Sequence, residues 1–402
     1  MFVARRTSFD PTRANCVGLL MLCALFAAPA ATAQTATQKA IPGIAAMDSL
    51  VAAEFARDSV GSITAGIVSG SDLVWTKSYG FANMGSRRLA DRRTVYRIGS
   101  VTKMFTATML LQLVNAGRMK LSDPVARFYP EIRRLRGAPG YAAGFTLLQL
   151  ATMTAGLAPE PRAGTAFDVG PVSEWEKSVF NALPQTDLTH LPGTYFAYSN
   201  IGYAVLGVAL AKAAGTPYIE WQRTHVLDPR GMHRTRFEVN AEIASDLATG
   251  YVVGKDGRPD TSAATRELNT GRGYRVPNGG IFTTVDDLSR FLSFELGRGP
   301  ESVLPHSVLD SAYAGIIATA ADEGFGYGLG FMLQHRDDFP YLGHSGGVPG
   351  YQAVMYFDRD HQLGVILMRN ATGGKASIGR VAPDMLKALI LAKIAAEKGA
   401  GR

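Results

Sequence analysis

Tyr96-Arg97-Ile98-Gly99-Ser100-Val101-Thr102-Lys103-Met104-Phe105 opens the stretch, running on to Leu121, around which the 402-residue chain is organised. A serine and a lysine three positions apart become neighbours on one face when a helix begins at the serine. Met104, Phe105, Met109, Leu110, Leu113 and Val114 recur at helical spacing and predict a buried helix, with Gly117 as its stop. Ser100 then stands at the helix mouth, where the dipole favours developing negative charge. Lys103 lies one turn along, close enough to exchange a proton with the hydroxyl, as an activator beside a nucleophile. Alone the pattern is weak. Ser-x-x-Lys arises about once or twice by chance in a chain of this length, and a helix-capping serine followed by an exposed lysine explains it equally well.

Working outward, Ile44, Met47, Leu50, Val51 and Phe55 predict an N-terminal helix, and Ile63–Val68 with Asp72–Tyr79 a β-hairpin. Leu121-Ser122-Asp123-Pro124 reads as the opening of another helix. Residues 156–192 read as long loops and short helices, the kind of segment that selects a substrate. Tyr203–Ala214 is apolar and helical, closing at Gly215, and Asp228–Gly231 marks a turn. Residues 238–275 carry no legible pattern. Thr284 reads as a helix cap, with Asp287 completing a capping box. Tyr327–Leu333, Tyr341–Gly343, Tyr351–Asp358 and Leu363–Asn370 read as strands, the last two a hairpin, before a C-terminal helix around Met385–Ile394. Strands at both ends with helices between predict that the two ends of the chain meet in one sheet.

A hydrophobic fraction of 47% and a charged fraction of 19% describe an ordinary globular protein. The formal charge of +7 is dispersed, with no basic run interleaved with aromatics, so no nucleic-acid partner is expected. Arg5, Arg6 and Arg13, then an apolar run over Val17–Ala28, then Ala31-Thr32-Ala33, give the order of a secretory signal peptide cleaved after Ala33. The apolar run is short for a membrane span. The expectation is a leader at 1–33, a short linker to residue 42, a single folded region over 34–402, and a periplasmic or secreted protein with no stable membrane span after cleavage. Both cysteines, Cys16 and Cys23, fall in that leader, so neither a disulfide nor a cysteine nucleophile is expected in the mature chain. None of the seven histidines has metal-ligand spacing, and no metal or cofactor is expected.

Two further motifs give Ser100 and Lys103 their company. Pro192-Gly193-Thr194-Tyr195-Phe196-Ala197-Tyr198-Ser199-Asn200 holds a tyrosine and an amide two residues apart, and His344-Ser345-Gly346-Gly347 follows a strand. Taken singly, Tyr198 reads as a core aromatic, Asn200 as a turn or cap residue, and the glycines as a turn. In this order, the three motifs resemble the serine β-lactamase and penicillin-binding superfamily, and within it the class C β-lactamase-like hydrolases. Flanks such as Arg97-Ile98-Gly99, Asp228-Pro229-Arg230-Gly231-Met232 and Gly346-Gly347-Val348-Pro349-Gly350-Tyr351 extend the resemblance over nearly the whole mature chain.

The resemblance implies an α+β, β-lactamase/transpeptidase-like fold: a mainly antiparallel sheet flanked by helices, with an inserted helical lobe and the site between. It implies that Ser100 attacks a carbonyl, with Lys103 and Tyr198 as the proton relay. Asn200 would position the Lys103 amine or the substrate amide, and the backbone N–H groups of Ser100 and Gly347 would form the oxyanion hole. A phenol of pKa about 10 is a poor base at neutral pH, so Lys103 must lower it or be neutral itself. His344, Ser345, Gly346 and Gly347 are expected along the substrate. His344 stands where many relatives carry a lysine that attracts a carboxylate, which favours an esterase, D-peptidase or amidase over an efficient β-lactamase. A β-lactamase or D-alanyl-D-alanine carboxypeptidase is the alternative, and a penicillin-recognising sensor that is acylated without turnover is the rival from another class. A small molecule or a peptide is the expected substrate. Met153 and Ala155 stand where the resembled segment has His and Ser, a change expected to alter buried hydrogen bonding rather than chemistry.

Overall fold

Two hairpins from opposite ends of the chain join to make the middle of the sheet. β1 (Ser62–Ser69) and β2 (Asp72–Asn83) pair through the turn at residues 69–72, and a short β3 (Arg88–Leu89) extends that edge. From the C-terminal third come β4 (Ala318–Thr319), β5 (Phe325–Tyr327), β6 (Met332–Arg336), β7 (Phe339–Val348), β8 (Tyr351–Asp358) and β9 (Leu363–Arg369). The order β3-β2-β1-β9-β8-β7-β6-β5-β4 is antiparallel throughout, and Ile63 opposite Arg369 through Ser69 opposite Leu363 knit the two chain ends together. The computed structural model describes residues 43–137, 144–163, 167–315, 318–319 and 325–400, which fall within one compact unit, Ala40–Arg402. The leader and linker expected over residues 1–42 lie outside the described residues.

Each face of the sheet has its own core because side chains alternate along a strand. Ile63, Ala65 and Ile67 of β1, with Val354 and Tyr356 of β8, pack on α1 (Ile44–Ala56) and the C-terminal helix (Ile378–Ala400). Ala353, Met355 and Phe357 of β8 face the larger core, which holds α2 (Thr102–Asn115). Eleven of the fourteen residues of α2 are buried, so the helix runs through the protein rather than along its surface. Its polar residues must then find partners inside: the Thr106 hydroxyl reaches the Pro277 carbonyl, and Thr108 the Met104 carbonyl. α4 (Asn200–Ala214) packs on α2, Phe291 of α6 (Val285–Glu295) stacks on its Phe105, and α3 (Trp175–Ala182) and α5 (Ser262–Thr270) are likewise drawn from the middle of the chain, α3 packing on α4. A buried Arg369 grips both oxygens of Asp58 at 2.9 and 2.8 Å, tying the last long strand to the end of the first helix. No helix among the described residues is long and apolar enough to cross a membrane.

Several sequence readings are corrected by packing. The helix expected after Ser122 is a short 3-10 turn, Val125–Arg127, because the Asp123 carboxylate is spent on the Lys120 N–H and on Arg127. Tyr327–Leu333 is two strands, broken where the Gly328 N–H closes a turn onto the Phe331 carbonyl. The strand read at Tyr341–Gly343 runs from Phe339 to Val348, so the His344–Gly347 motif lies within a strand rather than after one. Thr284 caps α6 by accepting from the Asp287 N–H, but the Asp287 side chain turns to the Arg234 N–H and the Thr235 hydroxyl instead of closing a capping box. The unread segment 238–275 holds α5 and a strand, Tyr251–Val253, that pairs in parallel with Ala371–Thr372.

Candidate active site

Ser100 sits in a single 3-10 turn, Gly99–Val101, that feeds directly into α2. The turn is pressed against β7. Gly99 adopts φ 51, a left-handed conformation, and a Cβ there would lie 2.7 Å from the Gly347 nitrogen. A Cβ on Gly346 would lie 2.0 Å from the Ile98 carbonyl oxygen and 2.7 Å from the Ser100 nitrogen. Gly346 on the strand and Gly99 on the turn thus allow backbone to meet backbone. The close approach brings the Ser100 and Gly347 nitrogens to one edge of the cleft, where two N–H donors could receive an oxyanion.

Lys103 follows one turn into the helix and is completely buried. Its Nζ lies 3.0 Å from Ser100 Oγ, 2.7 Å from Asn200 Oδ1 and 3.1 Å from the Asn278 carbonyl oxygen. It also stands 4.8 Å from the centre of the Tyr198 ring. Burial pushes the amine well below its usual pKa; Glu160 works against that shift, while Arg272 and Arg275 add to it. Tyr198 hydrogen-bonds Ser100, but burial pushes its phenol above the usual value near 10. Of the two groups in the expected relay, the lysine is the one whose surroundings favour a neutral base, and the tyrosine is held as a neutral phenol.

Local sequence explains the Tyr198–Asn200 segment. The Ser199 hydroxyl accepts from the Gly202 N–H at 3.0 Å and so caps α4, which leaves Asn200 as the first helical residue with its amide facing the cleft. Met153, at φ 60, accepts the Ala197 N–H on its carbonyl and places its sulfur 3.3 Å from the Ser199 nitrogen. A thioether therefore stands in the buried bonding pattern beneath the motif.

Two of the residues expected along the substrate are turned elsewhere. His344 is fully buried, its Nε2 3.1 Å from the Tyr327 hydroxyl and its Nδ1 against the Ser345 carbonyl. Burial, reinforced by Lys103, lowers its pKa to about 3, so it offers no positive charge to a ligand near neutral pH. Ser345 opposes Val354 and hydrogen-bonds Tyr356, on the face of the sheet that packs against the terminal helices. The alternation of a strand sends His344 inward beneath the site and Ser345 away from it.

The cleft itself has a volume of about 200 Å³ and is lined by Ser100, Asn200 and Gly347 together with Glu160, Arg272, Arg275 and Asn278. A larger hollow of about 470 Å³ shares only Arg272 with it and lacks Ser100. The last four residues are those that sequence reasoning missed. Glu160 lies in the Gly- and Pro-rich loop after Leu157, and Arg272 and Arg275 in the unread segment, where no periodicity marks a residue as facing inward. A carboxylate and two guanidinium groups close to Gly/Pro-rich turns were the only available signal. The charged ones stand in two ion-paired groups: Glu160 Oε2 lies 3.2 Å from Arg275 and Arg275 3.0 Å from Asp168, while Glu267 is shared between Arg272 and the buried Arg97.

The model of the β-lactamase family matches residues 33–389. The chain belongs to the β-lactamase family. The family's members are generally serine hydrolases of the β-lactamase fold, and the solved structures agree with the fold. The octameric penicillin-binding protein homologue from Pyrococcus abyssi aligns at a TM-score of 0.72 and 26% identity, covering 88% of this chain and 77% of that one. A class C β-lactamase aligns at 0.69 and 18%, covering 85% and 94%. Among curated relatives, the D-alanyl-D-alanine-carboxypeptidase/endopeptidase AmpH of Escherichia coli (strain K12) is 30% identical over 231 residues, 56% of this chain and 55% of AmpH. The chain spans about 58% of the length of the β-lactamase-like proteins 2 and 4 of Dictyostelium discoideum that it also matches.

Proposed function

We propose that this protein is an exported serine hydrolase that cleaves an amide or ester through an acyl-Ser100 intermediate. The observation that carries the reading is the buried Lys103 amine, 3.0 Å from Ser100 Oγ, in surroundings that favour its neutral form. In this reading Lys103 takes the Ser100 proton as Oγ attacks the carbonyl, the Ser100 and Gly347 N–H groups hold the oxyanion, and the proton passes to the leaving group through Lys103 and the Tyr198 hydroxyl. Water then releases the acyl group by the same relay. Asn200 holds the amine in place. Export rests on the leader read at residues 1–33 and is tested by N-terminal sequencing of the secreted or periplasmic protein, which should begin at Gln34.

The substrate class favoured is an ester, D-peptide or amide. With His344 buried and neutral, the third motif supplies no cation for a β-lactam carboxylate. The likeness to AmpH supports a D-alanyl-D-alanine carboxypeptidase as the second reading. The deciding experiment is time-resolved intact mass with an activated acyl ester, on the wild type and Ser100→Ala. An adduct that forms and clears in the wild type and never forms in the variant is expected. An adduct that persists would favour an acylated sensor, and equal behaviour of the two proteins would remove Ser100 from the mechanism.

A further inference from the structure

The loop after Leu157 is stitched to the start of α4 by three consecutive hydrogen bonds. Ser199 Oγ donates to the Ala158 carbonyl at 2.7 Å, the Asn200 N–H donates to the Pro159 carbonyl at 3.0 Å, and Asn200 Nδ2 donates to Glu160 Oε1 at 2.7 Å. The loop therefore delivers Glu160 to the amide of Asn200 in a fixed register. On its other side, Glu160 Oε2 faces Arg275 at 3.2 Å, and Arg275 is held in turn by Asp168 at 3.0 Å and by the Tyr274 hydroxyl at 3.2 Å. A carboxylate only accepts hydrogen bonds. The Asn200 nitrogen is thereby committed to Glu160, which leaves the Asn200 oxygen, and not its NH₂, facing Lys103 Nζ at 2.7 Å.

We propose that Glu160 is a positioning residue for acyl transfer: through Asn200 it holds the Lys103 amine on Ser100, and with Arg275 it sets the electrostatic field at that amine. The proposal rests on the acyl-Ser100 reading and assigns to it a residue that does not touch the nucleophile. The groups facing Lys103 are Ser100 on its own turn, Tyr198, Asn200 and Tyr203 at and in α4, His344 from β7, Arg272, Arg275 and the Asn278 carbonyl from the 272–278 segment, and Glu160. Among the described residues, Glu160 is the one anion in that set. Its charge favours the ammonium form, and the two arginines oppose it. Asp168 and Glu267 act one step further out, on Arg275 and Arg272.

Opposite charges on either side of the amine give a test with a sign. Acylation by an activated ester is followed by intact mass as a function of pH for the wild type, Glu160→Gln, Glu160→Asp and Arg275→Gln. The rate should rise with pH as Lys103 loses its proton. Glu160→Gln removes the charge that favours the ammonium, so the rising limb should move to lower pH, by on the order of one unit. Its plateau should fall by about 10- to 100-fold, because a glutamine can also donate to Asn200 and so let the amide turn over. Arg275→Gln should move the limb the other way. Glu160→Asp keeps the charge, so its limb should stay near that of the wild type while the plateau drops. Limbs that do not move, or that move together in Glu160→Gln and Arg275→Gln, would overturn the proposal and leave the acyl-Ser100 reading standing. If Arg275→Gln does not fold, the contrast between Glu160→Gln and Glu160→Asp decides alone. A wild type that forms no adduct at any pH would overturn both.

Discussion

Replacing Gly346 by alanine tests whether the strand and the nucleophile turn must touch for the site to exist. The added Cβ would sit 2.0 Å from the Ile98 carbonyl oxygen, 2.7 Å from the Ser100 nitrogen and 3.0 Å from the Gly99 carbonyl carbon. All three are backbone atoms, so no side chain can rotate away. Reaching even the shortest ordinary contact of 3.4 Å requires the turn and β7 to part by about 1.4 Å. Overpacking of this kind costs about 1–3 kcal/mol of stability. The same movement draws the Ser100 N–H away from that of Gly347. Loss of one oxyanion donor costs about 10²- to 10³-fold in rate, so acylation of Gly346→Ala should fall by that factor. The neighbouring Gly347→Ala is the control, since a Cβ there meets nothing within 4 Å. It should stay within about 0.5 kcal/mol of wild-type stability and acylate within about tenfold of the wild-type rate. Chemical denaturation and the intact-mass acylation assay read both quantities. A Gly346→Ala protein that acylates at the wild-type rate, or a Gly347→Ala protein that is the more damaged of the two, would refute the reasoning.

Tyr198→Phe removes a hydroxyl bonded to Ser100 and should slow acylation by about 10²- to 10⁴-fold with little change in fold; an unchanged acylation rate would remove the phenol from the relay. For His344, the folded state holds a neutral ring with a pKa of about 3, while the unfolded ring titrates near 6.5. Between those values the unfolded state binds more protons, so this ring makes the fold lose stability as pH falls from about 6.5 toward 3, by up to about 1.4 kcal/mol per unit. His344→Gln should lack that loss. Denaturation curves for the two proteins at pH 7.5, 5.5 and 4.5 should therefore converge or cross on acidification, and a constant difference would show that the ring is not held neutral.

The sequence was a good guide wherever a pattern is local. Helix α2 announces itself through Met104, Phe105, Met109 and Leu110 at helical spacing, and the hairpins through alternating apolar residues around turn residues, because both are set by the chain's own periodicity. It was a poor guide where a distant partner competes for a side chain. In the sequence Asp287 completes a capping box, yet Arg234 and Thr235, more than fifty positions earlier, take its carboxylate. His344 and Ser345 share a motif, but that the one is buried beneath the site and the other points to the opposite face depends on how β7 is registered against β8, and that is a tertiary fact.

The sequence by itself therefore determined the order of the motifs, the helical neighbourhood of Ser100 and Lys103, and the meeting of the chain's two ends in one sheet. Only the tertiary structure decided the chemistry around them. Burial of Lys103 makes its amine a candidate base, since the cost of desolvating a charge comes from everything packed against it and not from its neighbours in sequence. In the same way, Glu160, Arg272 and Arg275 become part of the cleft because two segments without periodicity fold back onto α4 and the Ser100 turn. Periodicity reports which face of an element is buried; it carries no information about which loop will lie across it.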